Sequence, residues 1–211
     1  MIHVFTFNAF AENTYVIADD AGTAAIVDPG CQHPQEQQQL FDFIAQQGLR
    51  PKMLLQTHCH IDHVLGNAFV HRAWGLQPLI HPNDLPDLQR LVAYAPVFGI
   101  SAEASPEPAG WLRHGESLQL GNMTLELREA PGHSAGSICF VNHQQGWVIG
   151  GDVLFAGSIG RTDLPGGNYE RLLTSVKNQL FTLPDDYVVY PGHGPATTIG
   201  LEKATNPFFA D

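Results

Sequence analysis

The sequence predicts an α/β sandwich, with sheets inside and helices outside. Three observations carry that expectation. Strand-like and helix-like patterns are mixed along the whole chain. A stretch rich in Pro, Gly, Ser and Glu, residues 95–109, separates two halves that each contain several strands. The 211 residues, 44% of them apolar, are enough to bury a core without disulfide staples, and they suit one domain over residues 1–211 better than two.

Taken in order, residues 2–7 and 13–18 are rich in Val, Ile, Tyr and Phe and read as strands. Residues 23–27 make a third, closed by the turn signal Asp28-Pro29-Gly30. In residues 35–47, Leu40, Phe43 and Ile44 share one helical face and Gly48 stops the helix. Residues 52–56 form a short buried strand, followed by a helix over 64–74, a strand over 78–81 and a helix over 85–94. Past the loop, 117–120 and 123–128 pair as a hairpin around Gly121-Asn122, and 138–141 with 147–149 as another. A helix over 169–181 and a strand over 187–190 complete the pattern, which leaves the topology open.

The net charge of −11 repels phosphate backbones and anionic lipid heads, so neither nucleic acid nor membrane is an expected partner. No apolar run is long enough to span a bilayer, and the N-terminus does not read as a secretory signal. Cys31, Cys59 and Cys139 are widely spaced and odd in number, which implies no disulfide framework. The expected location is the cytoplasm. The sequence carries no sign of an oligomeric state.

The chemistry concentrates in Thr57-His58-Cys59-His60-Ile61-Asp62-His63. His58 and His60 are two apart at the end of a strand, so both imidazoles face the same side and Cys59 faces away as a packed thiol. The chain turns at Asp62-His63, whose side chains can reach a neighbouring point. His133, Asp152 and His193 each follow a strand and a glycine, in Pro131-Gly132-His133, Gly150-Gly151-Asp152 and Pro191-Gly192-His193. A lone His in such a turn is ordinarily structural; the cluster and its order give the set its weight. Five imidazoles and two carboxylates suit zinc, with iron or manganese as alternatives. His3, His33, His71, His81, His114 and His143 lack this support and are read as non-ligands.

These segments resemble the metallo-β-lactamase superfamily. Val27-Asp28-Pro29-Gly30, Gly160-Arg161-Thr162-Asp163, Gly192-His193-Gly194-Pro195 and Asn206-Pro207-Phe208 are similar to its glyoxalase II branch, the hydroxyacylglutathione hydrolases, in the short single-domain bacterial form. The resemblance implies an αββα sandwich, two mixed β-sheets flanked by helices, with the site at one edge between the sheets. It implies one ion on His58, His60 and His133, a second on Asp62, His63 and His193, and Asp152 bridging them. Two such ions lie roughly 3.5–4 Å apart and pull the pKa of a shared water toward about 7. The metal-bound hydroxide would attack the thioester carbonyl of S-lactoylglutathione or a related compound, with no protein nucleophile and with Asp62 able to orient it. Arg161 matches a basic residue that contacts glutathione; an Arg161–Asp163 structural pair is the bland alternative. The longer glyoxalase II enzymes hold glutathione with a C-terminal helical domain that residues 1–211 do not include. Rival readings are a mononuclear iron persulfide dioxygenase, using only the residues matching His58, His133 and Asp152, a lactonase, and a non-enzymatic zinc-stabilised binding protein. Structural zinc sites are closed and Cys-rich, which disfavours the last.

Overall fold

The computed structural model describes residues 1–210. A first six-stranded sheet takes β1 (Ile2–Phe7), β2 (Glu12–Ala18), β3 (Thr23–Val27), β4 (Arg50–Leu55), β5 (Pro78–Ile80) and β6 (Gly110–Trp111) in chain order. β1 to β3 are antiparallel; β3 to β6 are parallel. The second half supplies β7 (Ser117–Leu120), β8 (Met123–Glu129), β9 (Ile138–Asn142) and β10 (Trp147–Gly151). A small ribbon, β11 (Leu154–Phe155) and β12 (Ser158–Ile159), follows, then β13 (Val188–Pro191) and β14 (Thr197–Thr198). The second sheet runs β14-β13-β10-β9-β8-β7, with β10 and β13 as its parallel pair. Both sheets are thus mixed.

Parallel neighbours need crossovers, and helices provide most of them. α1 (Pro34–Gln46) links β3 to β4, α2 (Ile61–Val64) and α3 (Asn67–Trp74) link β4 to β5, and α4 (Leu85–Tyr94) leads toward β6. α5 (Tyr169–Ser175), extended by a π-helical turn over Val176–Leu180, lies between β12 and β13, and α6 (Ile199–Thr205) follows β14.

Side-chain alternation sorts the layers. Tyr15, Ile17, Ala25 and Val27 of the first sheet meet Leu125, Leu127, Phe140 and Ile149 of the second in one buried cluster. Their neighbours Val16, Ala18, Ala24 and Ile26 face outward onto Leu40 and Ile44 of α1 and Val70 of α3. On the far side, Cys139, Val141 and Val148 pack under Leu172, Val176 and Ile199. The order helix, sheet, sheet, helix is the αββα sandwich. No helix among the described residues is long and apolar enough to cross a membrane.

Several elements depart from the sequence expectation. The helix expected over 64–74 is broken at Leu65-Gly66 into α2 and α3. At the break, the Gly66 amide donates to the Pro29 carbonyl at 2.7 Å, so the backbone is pulled toward the turn after β3. The strand expected over 52–56 begins at Arg50 and ends at Leu55. β6, β11, β12 and β14 are two residues each, too short for any periodicity to register, and α6 was not expected. The loop over 95–109 opens with a 3₁₀ turn, Ala95–Phe98.

Candidate metal centre

Beyond β4 the chain bends at Thr57 and reaches His60, which caps α2 with φ −65° and ψ 154°. His58 and His60 both turn toward His133, while Cys59 packs with Ile80, Leu88 and Leu91. Asp62 and His63 leave from the first turn of α2. His133 follows β8, Asp152 follows β10 and His193 follows β13, so ends of both sheets contribute. Two glycines make these approaches possible. Gly132 has φ +137°, and a side chain there would collide with the Leu172 backbone. A Cβ at Gly192 would strike the Asp152 carboxylate and the His63 ring.

The seven side chains named from sequence meet in one cluster. His60 Nδ1 lies 2.8 Å from His133 Nε2, which lies 3.2 Å from His58 Nε2. Asp62 Oδ2 lies 3.1 Å from His193 Nε2 and 3.6 Å from His63 Nε2. The Asp152 carboxylate reaches both triads, with Oδ2 3.4 Å from His133 Nε2 and Oδ1 3.5 Å from His63 Nε2. His58, His60 and His133 form one group able to hold an ion, and Asp62, His63 and His193 another. None of the six histidines set aside in the sequence joins such a group among the described residues.

The donor set fits cations. His63 Nε2 and Asp152 Oδ1 face each other at 3.5 Å, both buried and both without a hydrogen-bond partner. A buried polar group left in that state is costly unless something else satisfies it. The histidine cluster and the fold imply a dinuclear metal site.

The outer ring nitrogens are held in place, which fixes tautomer and orientation. His133 Nδ1–H donates to the Arg161 carbonyl at 2.7 Å. His63 Nδ1–H donates to Asp28 Oδ2 at 3.1 Å, and His193 Nδ1 faces the Phe10 and Ala11 carbonyls at 3.1 and 3.2 Å. Thr57 Oγ1 lies 3.1 Å from His58 Nδ1.

Burial holds His58 well below the usual imidazole range and His60 down to about 3, so both are neutral and carry free lone pairs. Burial also lowers His133. At His63 burial acts downward too, but the Asp62, Asp152 and Asp28 carboxylates overrule it and raise the ring well above its ordinary value. Burial would raise Asp62; His63 and His193 instead hold it low. The carboxylate half of the cluster thus draws positive charge.

The cluster opens into a cleft of about 410 Å³, lined by His60, Asp62, His133, Asp152 and His193 and by a mainly apolar wall. Arg161 lies on that wall. Its fork closes on Asp163, with Nε and Nη2 each 2.7 Å from a carboxylate oxygen.

Three groups at the centre escaped the sequence reading. Asp28, at φ 48°, accepts the Thr57 amide at 2.7 Å as well as His63; the sequence marks it as part of a turn and of a family-like segment, with no role at the centre. Buried Asp84 accepts the Cys59 amide at 3.1 Å and the Ser134 hydroxyl at 2.9 Å, tying the loop of His58 and His60 to that of His133. Burial pushes its carboxyl up to about 6. Glu12, fully buried 3.9 Å from His63 Nδ1, has its carboxyl pushed well up by burial. Of the three, only Asp28 carried a local signal, its Pro-Gly turn.

Comparison with known proteins bears on this geometry. The profile of the metallo-β-lactamase superfamily matches residues 8–193. A protein of Haemophilus influenzae named hydroxyacylglutathione hydrolase GloC is 38% identical over 213 residues, spanning 98% of this chain and 97% of its own length. The crystal structure of BLEG-1, a B3 metallo-β-lactamase, superposes with a TM-score of 0.92 at 32% identity, covering both chains fully (100% each). That of TTHA1623 in a di-iron-bound form gives 0.88 at 36% identity, covering 98% of this chain and 99% of its own.

Proposed function

The chain belongs to the metallo-β-lactamase superfamily, and on that premise we propose that it is a dinuclear metal-dependent hydrolase of thioesters, with hydroxyacylglutathiones such as S-lactoylglutathione as substrates. The observation that carries the reading is the Asp152 carboxylate standing between two His-rich triads at the mouth of a cleft. The relative named a hydroxyacylglutathione hydrolase, similar over nearly the full length of both proteins, supports the substrate class.

In this proposal His58, His60 and His133 would hold one ion, Asp62, His63 and His193 would hold the other, and Asp152 would serve both. Zinc suits the donors; iron is the main alternative, since one similar structure is described as di-iron-bound. Bound divalent ions supply a water of lowered pKa and a Lewis-acid pull on a carbonyl oxygen. The chain's own work is positioning. The Arg161 carbonyl and Asp28 keep His133 and His63 in the ligating tautomer. Asp62, on the cleft lining, would accept a hydrogen bond from the attacking water and orient it. The water oxygen bonds to the carbonyl carbon, the C–S bond breaks and its electron pair leaves on sulfur. The products are a carboxylate, a thiol and one proton.

Protein purified without chelator should carry close to two metal ions per chain, as the paired triads suggest. It should hydrolyse S-lactoylglutathione in preference to lactones, β-lactams and phosphodiesters. A single tightly held iron with oxygen uptake on a persulfide would replace the hydrolase reading. Lactone or β-lactam opening without thioester turnover would replace the substrate class.

A further inference from the structure

The cleft says more about the substrate than the ligand set does. Phe10, Tyr94 and Phe98 form a connected run of rings along it. Phe98 packs edge-on against both partners, with centroids 5.6 Å from Phe10 and 5.2 Å from Tyr94. Phe155, Ile159 and Leu164 add further apolar lining. Phe98 is 38% exposed although it is a large aromatic side chain beside a concave site. Phe10 comes from the turn after β1 and Tyr94 and Phe98 from the segment closing α4, so rings from two separate parts of the chain converge beside the His/Asp cluster.

Charge near the cleft is already occupied. Arg161 is the one Lys or Arg on its lining among the described residues, and its guanidinium is held bidentately by Asp163. Arg90 stands behind Tyr94, 5.3 Å from the ring centroid, and is paired with Asp87. A carboxylate-bearing acyl group would have to displace Asp87 from Arg90 or compete with Asp163, and with any carboxylate on the thiol half, for the single Arg161 fork on the lining. An apolar one would find rings to cover and water to displace.

We infer that the acyl half of the substrate is apolar, an aromatic or medium-length alkyl group lying on Phe10, Tyr94 and Phe98, with the reacting carbonyl at the His/Asp end of the cleft. This rests on the thioester reading above and narrows it: the short polar lactoyl group is then a permitted substrate, not the preferred one. Selectivity of this kind comes from area removed from water, and each fully buried methylene is worth roughly a four-fold gain.

The test holds the thiol constant. Glutathione thioesters carrying lactoyl, butanoyl, hexanoyl, phenylacetyl and succinyl groups are compared by kcat/KM on the metal-loaded enzyme. The expected order places hexanoyl and phenylacetyl about 10-fold or more above lactoyl, several methylenes being partly buried, with anionic succinyl lowest. Phe98→Ala, at a half-exposed position that should fold, narrows the hexanoyl-to-lactoyl ratio toward one, and Tyr94→Ala does the same. Lactoyl equal to or above hexanoyl overturns the inference, as does a ratio that neither substitution moves. Both of those outcomes leave the thioester reading standing. Absence of turnover for every acyl group, with lactone or β-lactam opening, overturns that reading instead.

Discussion

Arg161 carries two jobs that separate cleanly at the level of atoms. Its carbonyl accepts from His133 Nδ1 at 2.7 Å, while its guanidinium faces the cleft and grips Asp163. Arg161 and Asp163 have side chains 60% and 67% exposed, and a pair so open to water contributes little to stability. The fork does pull the Asp163 carboxyl down to about 2, so the pair stays formed at neutral pH, yet a carboxylate on the leaving thiol can compete for the same donors. Arg161→Ala keeps the carbonyl and hence the hold on His133. We expect KM for glutathione thioesters to rise roughly 10-fold with kcat nearly unchanged, the mark of a contact made equally in ground and transition states. Arg161→Lys should recover part of the loss. If the melting temperature and metal content fall while KM stays put, the pair with Asp163 is structural and the substrate contact is refuted. The contrast between Arg161 and its neighbours explains what a sequence discloses about a site. The seven His and Asp side chains could be named because their residue types and spacing are themselves the chemistry. Asp84 and Phe98 could not, since a carboxylate before a helix and an aromatic in a loop acquire meaning only from Cys59, Ser134 and the cleft they meet in space.

Among the elements, the join between α2 and α3 shows where periodicity stops being informative. Residues 64–74 read as one helix, and by propensity alone a glycine in its first turn is only a weak point. The packing decides otherwise. A Cβ at Gly66 would lie 2.6 Å from Cys31 Sγ and 2.7 Å from the Pro29 carbonyl oxygen, both in the turn that follows Asp28. That close approach locks the helix bearing Asp62 and His63 against the turn bearing Asp28, the carboxylate that orients His63. Gly66→Ala sets a propensity gain of at most about 1 kcal/mol against overpacking that costs about 1–3 kcal/mol. Net destabilisation of about 1–2 kcal/mol is expected, a fall of roughly 2–8 °C in melting temperature at this size. Metal affinity should weaken as well, because the turn and α2 move together. A variant as stable as the parent would show that the loop relaxes freely and that the contact positions nothing. The same logic covers the two-residue strands: β6 and β14 exist because Leu79 and Ile80, and Val188 and Val189, offer them an edge, which no local pattern encodes.

At the scale of the molecule, three apolar layers account for the fold without reference to the site. One lies between the sheets and one under each helical face, and the alternation that builds them is local, which is why the α/β sandwich is readable from sequence while its strand order is not. The candidate ligands hang on the ends of β4 in one sheet and of β8, β10 and β13 in the other, so bound ions would cross-link the two sheets at one edge. Removing them should therefore loosen the molecule without unfolding it. For an ion present at about a thousand times its dissociation constant, binding to the native state stabilises it by roughly 4 kcal/mol. At roughly 2–4 °C per kcal/mol for a chain of this length, chelation should lower the melting temperature by about 8–16 °C for each ion lost. The far-ultraviolet circular dichroism should persist, as should the near-ultraviolet signal of Trp147, which is buried between the sheets. Zinc added back should restore stability in proportion to the logarithm of its free concentration, and His58→Ala should show a smaller increment than the parent because one triad has lost a donor. Collapse of the circular dichroism on chelation would mean that the layers do not suffice and that the ions are part of the folding core. A melting temperature indifferent to both chelator and zinc would mean that the His/Asp cluster does not hold ions in the native protein.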